Sequence, residues 1–262
     1  MTEPDGFEAR VAAITADREQ GAAALARQAL EALASSAREA EAADAETLVR
    51  DLIRRAYRLA GSRPSMAPLA VLPRRFADAI ATLAPTDLPA MRERAAAAAE
   101  DLAERSRRAG AEAAQRLATR IHREIGPAPV LVTLSDSGTV RALFRALGPE
   151  ARAIVGEARP LCEGATMAEA LAQAGVETML VTDAQMALAA EEAEAAVIGA
   201  DALTADGGAV NKVGSHLLAL AAKAAGIPFY VVAESFKRLP ADAPPPVHEE
   251  MDPDELGHRL DE

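Results

Sequence analysis

The chain is predicted to be an α/β protein: an amino-terminal helical domain followed by a Rossmann-like, doubly wound, mostly parallel sheet. Three observations lead there. Apolar residues recur at helical spacing up to about residue 122, Gly126-Pro127-Ala128-Pro129 then forms a linker, and beyond it short apolar runs alternate with helical segments. The expected domains are therefore 1–125 (helical) and 126–240 (Rossmann-like), with an acidic, proline-rich tail over 241–262.

Each element has its own signal. Phe7, Val11 and Ile14, then Leu25, Leu30 and Leu33, mark the first helical stretch. A second helix runs from Asp44 or Ala45 to about Leu59, where Gly61-Ser62-Arg63-Pro64 stops it. The third covers about Pro68 to Leu83, and the fourth, from about Ala90 to His122, is laced with arginine and glutamate like a solvated face. Strands are expected at 130–134, 153–155, 178–181, 195–198 and 228–232, and helices near 138–147, 165–174, 184–191 and 213–225. Repeated β-α order implies parallel strands covered on both faces and right-handed crossovers.

Composition narrows the function. A net charge of −12 argues against nonspecific binding to nucleic acid or an anionic membrane. The single cysteine, Cys162, excludes an internal disulfide and a cysteine-cluster metal site. His122, His216, His248 and His258 share no metal-ligand spacing, so neither metal nor cofactor is expected. No apolar run reaches the roughly 18 residues of a membrane span, and the acidic start lacks a secretory pattern, so the expected compartment is the cytoplasm.

In a doubly wound sheet ligands bind at the carboxyl ends of the strands. There the sequence has Thr133, Ser135, Asp136, Ser137, Gly138 and Thr139; then Glu157, Arg159 and Glu163-Gly164; then Thr182-Asp183; then Asp201, Asn211 and Lys212; and last Glu234, Ser235 and Lys237. Gly199-Ala200-Asp201 followed by Asn211-Lys212-Val213-Gly214-Ser215 brings a carboxylate and an ammonium to the start of a helix. That combination suits an anionic sugar and proton movement on it. Blander readings stand beside these. Asp201 can brace its loop, Ser135, Ser137, Gly138 and Thr139 can cap the next helix, Arg63 can be a solvated linker residue, and Glu157 with Arg159 can be an ion pair.

Taken together, Asp17-Arg18 with Gly21-Ala22, Arg63-Pro64-Ser65-Met66-Ala67-Pro68, Ser137-Gly138-Thr139-Val140, Glu157-Ala158-Arg159-Pro160 with Glu163-Gly164, Thr182-Asp183 and the block from Gly199 to Ser215 resemble one family. It comprises the α, β and δ regulatory subunits of translation initiation factor 2B and their prokaryotic relatives, including methylthioribose-1-phosphate and ribose-1,5-bisphosphate isomerases. The resemblance runs from about residue 10 to 240. It implies homodimers or larger oligomers, Asp201 as the proton-moving aspartate, and Arg63, Asn211 and Lys212 as phosphosugar contacts. The catalytic cysteine of the isomerases falls on Ser135, whose hydroxyl holds its proton far more tightly than a thiol. Glu163 stands where the isomerases usually carry glutamine, and Ala205-Asp206-Gly207-Gly208 looks more like the regulatory subunits. The expectation is a regulatory or ligand-binding protein with a pocket for a sugar phosphate or nucleoside monophosphate, lined by Arg63, Ser137, Gly138, Thr139, Arg159, Glu163, Asn211 and Lys212. The alternatives are an aldose–ketose isomerase acting on a phosphorylated ribose through Asp201 with Ser135, Asp136 or water, and an oligomer subunit with a vestigial pocket.

Overall fold

A computed structural model of the protein describes residues 6–18, 20–239 and 253–257. The tail expected over 241–262 lies outside the described residues except for 253–257. The chain divides into two units, Met1–Ala109 with Asp201–Gly208 and Ser235–Val247, and Gly110–Ala200 with Ala209–Glu234 and His248–Glu262. The division falls inside a long helix, upstream of the Gly126–Pro129 linker.

In the first unit the alanine- and leucine-rich stretches become α1 (Gly6–Ala16), α2 (Ala22–Glu39), α3 (Ala45–Ala60), α4 (Ala67–Ala81) and the first part of α5 (Leu88–Glu124). The first helical stretch is thus two helices. Asp17 separates them: its carboxylate accepts from the Gln20 amide at 2.8 Å and from Gln20 Nε2 at 3.0 Å, an arrangement that competes with helix continuation. Asp44 caps α3 by accepting from the Thr47 amide at 2.8 Å. The apolar faces meet in a core that includes Leu25, Leu30, Leu33, Leu48, Leu52, Leu72 and Phe76. Each such side chain contributes roughly 1.5–3 kcal/mol on burial. Two later segments belong to this unit, β5 (Ala202–Leu203) and the turn Ser235–Lys237. Phe236 enters the core, and Arg75 of α4 lies over its ring at 4.9 Å.

The second unit holds the parallel sheet of β1 (Val130–Leu134), β2 (Arg152–Gly156), β3 (Glu177–Val181), β4 (Ala195–Ile198) and β7 (Phe229–Val231), in the order β3-β2-β1-β4-β7; β6 (Ala209–Val210) lies outside this sheet. Side chains alternate along its strands, and the two faces bury different helices. Leu131, Ala153, Val155, Ala195 and Val197 pack with the end of α5, with α6 (Gly138–Leu147) and with α7 (Glu163–Gln173). Val132, Leu134, Ile154, Ala196 and Ile198 pack with α8 (Met186–Glu192) and α9 (Ser215–Ala225). Burial on both faces explains why the central strands read as unbroken apolar runs. Among the described residues no helix is long and apolar enough to cross a membrane.

Candidate functional site

The strand order reverses at β1. The chain leaves β1 toward β2 and β3, then returns to place β4 on its other side; in doubly wound sheets ligands bind at such a switch point, outside the carboxyl ends of the two strands. Ser135, the first residue after β1, is buried and has φ +61°, a left-handed conformation that costs a non-glycine residue on the order of 1–3 kcal/mol. Asp136 gives both oxygens to Arg141, at 2.6 and 2.5 Å. Ser137 caps α6 through the Val140 amide. Gly199, at the end of β4, packs so closely on Ser137 that a Cβ there would lie 3.1 Å from the Ser137 Cβ and nearer still to its hydroxyl. Thr139 donates from Oγ1 to Glu234 Oε2 at 3.4 Å, both residues being buried. Glu234 was legible only as one of several polar strand-end residues; its signal is a carboxylate three residues beyond an apolar strand.

The loop after β2 is held by a residue from the loop after β3. The Asp183 carboxylate accepts from the Ala158 amide at 2.9 Å and from the Arg159 amide at 2.7 Å, with Ala158 at φ +61°. This gives the Thr182-Asp183 motif a physical task, fixing the loop that carries Arg159. Asp183→Ala is therefore expected to lower stability by about 1–2 kcal/mol, because one part-buried amide and one exposed amide lose a charged acceptor. Denaturant titration of the variant beside the unaltered protein measures this.

After that loop α7 opens at Glu163, two residues earlier than its spacing predicts. A carboxylate in this first turn is favoured by the free amides of the helix start. Lys212, in contrast, stands outside a helix. α9 begins at Ser215, because Gly214 takes φ +96° and the turn before it closes on the Lys212 carbonyl, which accepts from the Ser215 amide at 3.1 Å and from Ser215 Oγ at 2.7 Å. Asn211 Nδ2 donates to the same hydroxyl at 2.9 Å. From this turn the Lys212 ammonium reaches Glu163 Oε1 and forms an ion pair. Glu163 Oε2 is buried with no hydrogen-bond partner among the described residues. One end of the sheet thus offers an ammonium with spare donors and, beside it, an unused acceptor.

The other two predicted residues belong to the first unit. Arg63 is only 5% exposed and donates from Nη1 to the Asp17 carbonyl at 2.8 Å, which joins two of the motif pieces. The Asp201 carbonyl accepts from the Ala67 amide at 3.1 Å, at the end of the Arg63–Ala67 turn. Asp17, Arg63 and Asp201 are therefore parts of one local arrangement. Ser135, Ser137, Gly138, Thr139, Arg159, Glu163, Asn211 and Lys212 lie in the second unit. Among the described residues no group of three or more His, Cys, Asp or Glu is arranged to hold a metal ion.

The profile of the initiation factor 2 subunit family matches residues 18–262. The chain belongs to that family. A translation initiation factor eIF-2B subunit 2-like protein of Pyrococcus horikoshii is 41% identical over 132 residues, 49% of this chain and 48% of the relative, so the match spans about half of that relative's length. A ribose 1,5-bisphosphate isomerase of Haloferax volcanii is 30% identical over 224 residues, 84% of this chain and 67% of the relative. The crystal structure of the Pyrococcus horikoshii OT3 translation initiation factor eIF-2B matches 90% of this chain and 81% of its own at 31% identity, with a TM-score of 0.75. The helical amino-terminal region and the parallel sheet are thus the family's architecture. Members of both kinds, initiation-factor-like and isomerase, stand among the relatives of this chain.

Proposed function

We propose that this member of the initiation factor 2 subunit family is a ligand-binding protein of the initiation factor 2B type, whose pocket takes a phosphorylated ribose or a nucleoside monophosphate. The observation that carries the reading is the Lys212–Glu163 pair. Its ammonium keeps donors for a phosphate, and Glu163 Oε2 is a buried acceptor that a ligand hydroxyl would satisfy. Ser137 and Gly138 supply a capped helix start at the same end of the sheet, and Arg159, Asn211 and Thr139 complete the set of ligand contacts proposed in this unit. Binding without chemistry follows from Ser135. By the resemblance it stands where the isomerases carry their cysteine, and no hydrogen bond from its hydroxyl to a base is found among the described residues. The protein is proposed to act as a homodimer or larger homo-oligomer in the cytoplasm; the exposed apolar row of Val213, Leu217 and Leu220 supports association.

The second reading is an aldose–ketose isomerase with Asp201 moving the protons, and the likeness to the Haloferax volcanii isomerase over 84% of the chain favours it. Asp136 is a weak replacement for the thiol, since Arg141 occupies both of its oxygens.

Thermal denaturation with ribose 1,5-bisphosphate, methylthioribose 1-phosphate and AMP, followed by NMR of the mixtures, separates the two. The expected result is stabilisation by at least one of these ligands, about 2.7 kcal/mol at a hundred times its Kd, without product. Ketose formation that Asp201→Asn abolishes would overturn the binding-only reading. No stabilisation by any of them would make the pocket vestigial.

A further inference from the structure

Arg159 is a proposed ligand residue whose charged group already has a partner in the described turn Pro253–Leu256. Its Nη2 donates to the Leu256 carbonyl at 2.8 Å, and its Nη1 lies 3.9 Å from Cys162 Sγ. Asp183 pins the Arg159 backbone, so the loop is fixed and the long side chain is what remains to reorient. Leu256 ends a short 3-10 turn, Pro253–Leu256, that the Gly257 amide closes on the Asp254 carbonyl at 3.0 Å. The turn carries Asp254 and Glu255, two carboxylates beside the carbonyl that holds the guanidinium. A carbonyl flanked by acids is a modest substitute for a phosphate: it satisfies the guanidinium, yet a dianion would hold it more strongly.

We infer that the Pro253–Leu256 turn is a strap that competes with an anionic ligand for Arg159 and so sets the affinity of the site. This rests on the reading above that Arg159 contacts the ligand. The binding equilibrium then includes release of the turn, and anything that captures the released turn raises ligand affinity by the same factor by which the ligand raises the affinity of that capture.

The test uses the full chain with the turn unmade by Pro253→Gly, Asp254→Ser, Glu255→Ser and Leu256→Gly together, alone and combined with Arg159→Ala. Titration calorimetry with ribose 5-phosphate is expected to give roughly three- to tenfold tighter binding when the turn is unmade, and no gain when Arg159 is also alanine. Equal gain in both backgrounds would mean that removing acidic charge acts through the general field, which overturns the strap, as would weaker binding without the turn. Modification of Arg159 by phenylglyoxal, followed by mass spectrometry, tests the contact without any ligand. It should run several-fold faster once the turn is unmade, and equal rates overturn the strap whatever the pocket binds. Faster modification with no ribose 5-phosphate binding in any variant would instead overturn the reading of the pocket, and the competition with it.

Discussion

Gly164→Ala is expected to destabilise the second unit by about 3 kcal/mol, the upper end of what overpacking costs, and to abolish binding at the Lys212 site with it. A Cβ on Gly164 would lie 2.8 Å from Glu157 Cα and 2.8 Å from the Gly156 carbonyl carbon, with the Gly156 oxygen closer still. All three are backbone atoms at the end of β2, so no rotamer change relieves the clash. Gly164 also donates its amide to the Glu157 carbonyl at 2.9 Å, which ties the start of α7 to the strand end it crosses. Relief would require α7 to back away from β2, and Glu163 would move with it. Gly138→Ala is the control: nothing lies within 4 Å of its Cβ position, and a surface-like change within about 0.5 kcal/mol is expected. Chemical unfolding followed by circular dichroism measures both variants. A cost below about 1 kcal/mol for Gly164→Ala would mean that α7 and β2 are not packed as described.

Much of this fold is legible because packing writes periods into the sequence. Strands buried on both faces give apolar runs, and Val130–Leu134 and Ala195–Ile198 end where the runs end. The strand order leaves no such trace. Nothing in the segment Gly199–Ala209 announces that β4 lies beside β1, yet that adjacency makes the switch point of the sheet. Contacts of single side chains on backbone are equally silent. The Asp17 carboxylate that separates α1 from α2 interrupts no apolar period, and the Asp183 clamp on Ala158 and Arg159 joins positions 24 and 25 residues apart. Lys212 was legible as an unfavourable charge near a helix start. Its distance from that start was not, because it depends on the positive φ of Gly214, which a glycine permits without requiring. Its partner Glu163 was legible only as a residue of the same proposed site, 49 positions away.

Lys212→Ala is expected to weaken binding of ribose 1,5-bisphosphate by about thirty- to a hundredfold, corresponding to roughly 2–3 kcal/mol for a charge-assisted bond to a phosphate. Two effects add. The ammonium that would face the phosphate is gone, and the Glu163 carboxylate, mostly buried with 12% of its side chain exposed, loses the cation that balances it. The second effect separates this residue from an ordinary surface lysine, and it fixes the sign expected for its partner. Glu163→Gln removes a negative charge next to the anion and leaves the Lys212 ammonium unpaired, so inorganic phosphate should bind several-fold more tightly. The same change alters the buried acceptor Oε2, so the preference for ribose 5-phosphate over inorganic phosphate should narrow. Combining Lys212→Ala with Glu163→Gln should recover more of the loss than the gain from Glu163→Gln alone accounts for, because the uncompensated carboxylate is no longer present; a combined effect equal to the sum of the two single effects would instead show two independent contacts. If Lys212→Ala binds as well as the unaltered protein, the anion lies elsewhere and the Lys212–Glu163 pair is a structural brace between the segments that follow β2 and β6.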